Sequence, residues 1–187
     1  MEGGSGMPES EQGALFENTE LPDLHIGYRG PTACQAAGIT YRQLDYWART
    51  DLVQPTVRSA TGSGTQRLYS FKDILVLKVV KRLLDTGVSL QNIRVAVDHL
   101  RARGIEDLAG ITLFSDGTTV YECTSAEEIV DLLQGGQGVF GIAVGGTMRE
   151  MTGQLAQFPG ERIEGADGPV AQAADELAER RRTRTAS

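Results

Sequence analysis

Two stretches decide how this chain reads: Gly38-Ile39-Thr40-Tyr41-Arg42-Gln43-Leu44-Asp45-Tyr46-Trp47, and further on Arg67-Leu68-Tyr69-Ser70. Gly38 supplies a tight turn, since glycine enters the left-handed backbone region without a Cβ penalty. Thr40 is placed to cap a helix, because its hydroxyl can accept from a first-turn amide. That helix runs to about Thr50, and Leu44 and Trp47, three apart, face inward with Ile39. Trp47 reads as core. Upstream, Gly30-Pro31 opens a short helix, where a missing N–H costs nothing. Ala33, Cys34, Ala36 and Ala37 are small, as two closely packed helices require. These features spell a helix-turn-helix. Pro55 blocks further helix. Val57-Arg58 and Arg67-Leu68-Tyr69 then flank Ser59 to Thr65 as a two-stranded wing.

Beyond the wing, Ser70 with Asp73 forms a capping box. The helix that follows carries Phe71, Ile74, Leu75, Leu77, Val79, Val80, Leu83 and Leu84, so more than one of its faces is buried. Gly87 ends it. Ser89 caps a fourth helix, with Leu90, Ile93, Val97 and Leu100 at helical spacing. The period then changes. Ile111 to Phe114, Ser115-Asp116-Gly117 and Thr118 to Cys123 read as a β-hairpin. Ser125 with Glu128 caps a helix carrying Ile129, Val130, Leu132 and Leu133. Gly135-Gly136-Gln137-Gly138 breaks it, Val139 to Val144 reads as a buried strand, Gly145-Gly146-Thr147 as a turn, and Met148 to Phe158 as a last helix.

The predicted class is therefore α+β: an N-terminal winged helix-turn-helix followed by a small β-β-α-β-α domain. The boundaries fall at 1–24 for an acidic, disordered tail, 25–103 for the first domain, 104–158 for the second, and 159–187 for a polar tail. The Arg180-Arg181-Arg182-Thr183-Arg184 cluster in that tail reads as solvated.

The net charge of −7 is unevenly placed. Residues 25–103 hold twelve Lys+Arg against five Asp+Glu, a balance of +7, and the remainder of the chain carries −14. A basic domain between acidic flanks points to nucleic acid, and the flanks suppress sequence-blind phosphate binding. No apolar run approaches the roughly 18 residues of a membrane span. The N-terminus lacks a signal-peptide layout, and a cytoplasmic, nucleoid-associated location is the default expectation. Cys34 and Cys123 fit neither a disulfide framework nor a zinc site, and read as reduced, buried residues. No metal or cofactor is expected.

A major groove admits one helix, whose outward side chains reach base edges. Arg42 is placed to pair bidentately with guanine, and Gln43 to read adenine. Tyr41 and Tyr46 can offer hydroxyls to phosphates, and Arg49 lies on the same side. Arg67 and Tyr69, with Arg58 opposite, would grip backbone or minor groove. The amides at Thr32 and Thr40 can add phosphate contacts.

Taken together, these segments resemble the DNA-binding domain of the MerR family of bacterial transcription regulators, over about Tyr28 to Leu100. That family carries a segment like Gly-Val-Ser-x-x-x-Leu-Arg-Tyr-Tyr, matched here by Gly38 to Trp47. Its wing closes with Tyr-Arg-Leu-Tyr-Ser, matched by Gln66-Arg67-Leu68-Tyr69-Ser70. Its fourth helix opens with Gly-Phe-Ser-Leu-x-Glu-Ile, close to Gly87-Val88-Ser89-Leu90-Gln91-Asn92-Ile93. The layout after Arg103 looks like an actinobacterial subgroup in which a small α/β module replaces the usual effector domain. The resemblance implies a homodimer on an inverted-repeat promoter site in double-stranded DNA, DNA distortion, and contact with RNA polymerase.

Two departures matter. Asp45 stands where the family usually has an Arg that holds DNA, and is expected to orient Arg42 or Arg49. No heptad run follows Arg103, so dimerisation is assigned to Gly104–Phe158 rather than to a long coiled coil. The effector is not legible.

An excisionase-type architectural protein uses a similar winged helix, but the extra domain argues against it. A protein-interaction module that has lost DNA binding is a further alternative. An enzyme is disfavoured, since His25 and His99 are the only histidines and the carboxylates are scattered.

Overall fold

The computed structural model describes residues 23–59, 66–129 and 140–163. Strand β1 (Ile26–Arg29) leads straight into helix α1 (Gly30–Ala37), and α2 spans Tyr41–Arg49. The two-residue strand β2 (Leu68–Tyr69) is followed by α3 (Phe71–Asp85), α4 (Leu90–Ala102) and a single turn, α5 (Ile105–Leu108). Then come β3 (Thr112–Ser115), β4 (Val120–Cys123), β5 (Phe140–Ala143), α6 (Val144–Leu155) and β6 (Glu161–Arg162). A helical turn also begins at residue 126, and its continuation from 130 lies outside the described residues. So do the wing tip, 60–65, the Gly135–Gly138 break, most of both tails and the Arg180–Arg184 cluster.

Local chemistry sets the helix ends. Gly38 closes α1 at φ 71°, donating to the Cys34 carbonyl. The Thr40 hydroxyl accepts from the Gln43 amide, and the Gln43 side chain accepts from the Thr40 amide, so both orphan donors are satisfied. Ser70 and Asp73 make the same reciprocal box on α3. Asp73 Oδ2 also accepts from the Thr56 amide and hydroxyl, both at 2.8 Å, which fastens the wing's first arm to the start of α3. Ser89 caps α4, and Ser125 caps the turn at 126.

Helix α3 is the axle of the molecule. Phe71, Ile74, Leu75, Leu77, Val79, Val80 and Leu83 are all buried, against α1 on one side and α4 and α6 on others. Full burial of each such side chain contributes about 1.5–3 kcal/mol.

The segment after residue 104 packs onto the helix-turn-helix unit. Leu108, Ile111, Leu113, Ile142, Val144, Met148, Met151 and Leu155 share one continuous core with Trp47, Leu52 and the α3 residues. Helix α6 packs back on α1 and α3. Buried Lys78 fixes it there, donating to the Ala36 carbonyl (3.1 Å), Glu150 Oε1 (2.8 Å) and Gln154 Oε1 (3.2 Å). Arg82 adds Thr147 and Glu150, both at 2.7 Å.

Two antiparallel sheets result. In the order β4-β3-β5, Leu113 faces Glu122 on one side and Ile142 on the other. In the order β2-β1-β6, Tyr28 faces Tyr69, and Gly27 faces Glu161. The second sheet corrects the expectation of a polar tail from 159. Glu161 and Arg162 return to the N-terminal unit, and the Ile163 amide donates to the His25 carbonyl at 2.6 Å.

The last helix also starts earlier than expected, at Val144 rather than Met148. Gly145 lies within it because a Cβ there would sit 2.3 Å from the Ala109 carbonyl oxygen. The glycine allows helix and chain to touch, and is not a turn residue.

Candidate nucleic-acid interface

Helix α2 turns Leu44, Trp47 and Ala48 into the core. The opposite side carries Tyr41, 62% exposed, Arg42, Tyr46, 48% exposed, and Arg49. So large an uncovered aromatic area on one short helix is unusual for a purely structural element. The Tyr41 ring lies against Gly30, at the start of α1. Thr32 is half-buried in the first turn of α1, and Thr40 is exposed. Thr40 and Gln43 are tied to each other, so the Gln43 carbonyl oxygen is engaged within the protein. Its amide nitrogen is the part left for a base.

Asp45 sits half-buried on this face. Its two oxygens accept from Arg49 Nε and Arg67 Nη1, each at 3.0 Å. The expected orientation of Arg49 is therefore present. The partner across the turn is Arg67 rather than Arg42, a contact spanning 22 residues of sequence. The hydrogen bond to Asp45 raises the Arg67 pKa above its ordinary value. Arg42 enters none of the ion pairs among the described residues.

Among the described residues the wing arms meet through one bridged pair, Arg58 with Leu68, whose amides donate to each other's carbonyls at 3.2 and 2.9 Å. Tyr69 requires a correction. Its side chain is fully buried in the core, so it cannot offer its hydroxyl to DNA. The hydroxyl has no hydrogen-bond partner among the described residues. Burial pushes its pKa up to about 12, against the pull of the nearby Arg67 charge.

Two residues were missed in the sequence. Arg29 ends β1 directly before α1, and Glu161 on β6 pairs with both Arg29 and Arg58, the latter at 3.2 Å. The side chains of the two arginines are 57% and 49% exposed. Arg29 hydrogen bonding, first of several causes, holds the Glu161 carboxyl below its ordinary pKa. No sequence period marks a two-residue strand, so Glu161 gave no signal. Arg29 was legible only as one more positive charge beside a helix start.

Cys34 and Cys123 are unpaired, and burial raises both thiols above their ordinary pKa. Among the described residues there is no cluster of metal-ligating side chains, and no helix long and apolar enough to cross a membrane.

A capped helix with a basic and aromatic outer face, set one tight turn after a short helix, defines a helix-turn-helix DNA-binding protein. The model of the MerR HTH family regulatory protein matches residues 28–100. Uncharacterised HTH-type transcriptional regulators of Mycobacterium bovis and of two strains of Mycobacterium tuberculosis are each 73% identical over 173 residues. Those alignments cover 92% of this chain and 76% of each relative. The chain belongs to the MerR family, and is a transcriptional regulator with a helix-turn-helix DNA-binding domain.

Proposed function

We propose that this regulator binds an inverted-repeat promoter site as a homodimer, with α2 in the major groove and the wing on backbone or minor groove. The observation that carries the proposal is the outer face of α2: Tyr41, Arg42, Tyr46 and Arg49 uncovered above a complete core. Arg42 reads a guanine edge, since a guanidinium with no ion pair among the described residues has its full fork of donors to give. Tyr41, Tyr46, Arg49, Thr40 and the Gln43 amide contact phosphates, sugars or a second base. Arg58 and Arg67 hold the backbone beside the wing.

Dimerisation uses the segment after Arg103. In support, β5 is an edge strand among the described residues and exposes Phe140, the kind of apolar edge that pairs with a second copy. The two-fold protein axis then imposes two-fold symmetry on the site. Bending the site for RNA polymerase costs about 1–6 kcal/mol for a short duplex, an affordable amount.

The test is a selection of bound sites from random duplex DNA at near-physiological salt, with Arg42→Ala in parallel. A two-fold symmetric motif, lost or relaxed at one base pair per half-site in the variant, is expected. Sequence-independent binding by the wild type, or an unchanged motif in the variant, would overturn this assignment.

A further inference from the structure

Lys78 lies midway along α3, buried in the apolar run Leu75-Val76-Leu77-Lys78-Val79-Val80. An ammonium group leaves water only where acceptors replace it. Lysine has three donors to give, and three acceptors converge here: the Ala36 carbonyl, Glu150 Oε1 and Gln154 Oε1. The last two belong to α6, and Ala36 is the next-to-last residue of α1. Arg82, one turn further along α3, takes the other oxygen of Glu150 at 2.7 Å, so the carboxylate that holds Lys78 is itself held.

The Ala36 carbonyl needs a donor from outside its helix, because the final carbonyls of a helix have no amide of their own to accept from. The Cys34 carbonyl is served by the Gly38 and Ile39 amides. The amide four residues after Ala36 is that of Thr40, and it is given to the Gln43 side chain in the cap of α2. The Lys78 ammonium takes the position that the Thr40 amide leaves, and its charge suits the negative end of the α1 dipole. One ammonium thus closes α1 at the turn from which α2 starts, and α6 holds that ammonium.

We propose that Lys78 is a positioning residue for base recognition: it sets the turn between α1 and α2, and through it the aim of the α2 outer face, from an anchor supplied by α6. The inference rests on the placement of α2 in the major groove. A displacement of Glu150 then reaches Arg42 through Lys78, the end of α1 and the Gly38–Thr40 turn. Specificity should suffer before affinity, since a base edge demands a fixed fork geometry and phosphate contacts carry no sequence information.

The experiment measures, by fluorescence anisotropy on the full chain, affinity for the duplex that selection recovers and for an unrelated duplex of equal length. Lys78→Met keeps the length of the side chain and removes the ammonium. It should lower the ratio of the two affinities by about tenfold, within the worth of one bidentate base contact. Partial unfolding cannot do this, because an inactive fraction lowers both affinities by the same factor. Lys78→Met combined with Glu150→Met removes both members of the pair, which costs less stability than leaving one partner alone. Its melting temperature should recover toward wild type while the ratio stays low. Lys81→Met, which removes the same charge from a lysine of α3 paired with Asp85, should keep the wild-type ratio. Without DNA, the Gly38 and Ile39 amides should exchange faster with solvent in Lys78→Met, with the α4 amides unchanged. A wild-type ratio in Lys78→Met, a ratio that recovers with the melting temperature in the double variant, or unchanged exchange at Gly38 and Ile39 would each overturn the assignment. A wild-type chain that prefers neither duplex would overturn the placement of α2 instead, and the exchange rates would then decide on the turn alone.

Discussion

Replacing Glu161 by Gln keeps the shape of the β6 residue and removes the charge shared by Arg29 and Arg58. Arg29 and Arg58 hold the carboxyl below its ordinary pKa, so it is ionised throughout the neutral range and the substitution removes a full charge there. In the proposed binding mode, both guanidiniums lie beside the wing, where phosphates pass. Each additional phosphate neutralised steepens the dependence of log affinity on log salt by ~0.9. Two freed arginines therefore predict a slope steeper by up to ~1.8. Between about 50 and about 200 mM salt, that is a further ~12-fold loss of affinity, on top of the wild-type loss. At the low-salt end the variant should bind more tightly than wild type. Fluorescence anisotropy on one labelled duplex, repeated across the salt series, reads both quantities. Thermal melting should hardly move, because exposed ion pairs contribute little to folding. A folded variant with the wild-type slope would refute the reasoning. A shallower slope would mean that Glu161 positions the two arginines for DNA instead of occupying them.

Tyr69→Phe deletes a buried hydroxyl that has no hydrogen-bond partner among the described residues, so it should leave stability unchanged or raise it by up to about 1 kcal/mol, with DNA affinity unaltered; a large loss of binding would return Tyr69 to the interface. Asp45→Asn removes the acid that Arg49 and Arg67 share. It should tighten binding to unrelated duplex more than to the selected site, and an unchanged ratio of the two affinities would clear Asp45 of that role. Two glycines of α6 should respond with opposite signs in melting experiments. Gly145→Ala drives a Cβ into the Ala109 carbonyl and should cost about 1–3 kcal/mol, whereas Gly153→Ala meets nothing within 4 Å and should gain up to about 1 kcal/mol. Glu150 has its pKa lowered, chiefly by the Lys78 hydrogen bond. Its stabilisation is present above the ordinary carboxylate value of 4.5 and is lost as pH falls through the lower folded value. The difference in melting temperature between wild type and Glu150→Gln should accordingly close on acidification through that range.

What could be read from the sequence was local. Thr40 with Gln43 and Ser70 with Asp73 announce helix starts because both partners lie within one turn. Gly38 and Gly87 announce helix ends because each takes a positive φ. The apolar face of α3 is visible as a period. The features missed join distant segments. Strand β1 is four residues long, and its partner β6 only two, too short for any alternation to show. The Asp45–Arg67 pair crosses 22 residues. Tyr69 resembles a wing residue by position, yet β2 is so short that its side chains fall into the core. Gly145-Gly146 has the composition of a turn, and only the approach of Ala109 shows why a helix would begin there. The single core was illegible for the same reason. The change of period after Arg103 marks a new type of element, but periodicity says nothing about which core that element joins.

The arginines of the candidate interface fall into two groups with different consequences for recognition. Arg49 and Arg67 share Asp45, and Arg29 and Arg58 share Glu161, so four guanidiniums are held in place by two carboxylates before any duplex arrives. Holding them reduces the side-chain entropy lost on binding. It also places two negative charges beside the phosphates, and that penalty falls on every sequence alike. Sequence-blind affinity depends on the count of phosphates neutralised, so such pairing lowers it without touching base discrimination. Arg42, with no ion pair among the described residues, keeps its donors for a base edge. The useful quantity for a regulator is the ratio of specific to non-specific affinity, because competing sites vastly outnumber the true one. In the proposed binding mode, acids among the arginines assigned to phosphates, with the arginine assigned to a base left unshared, improve that ratio at the expense of absolute affinity. The surplus of negative charge in the rest of the chain acts in the same direction.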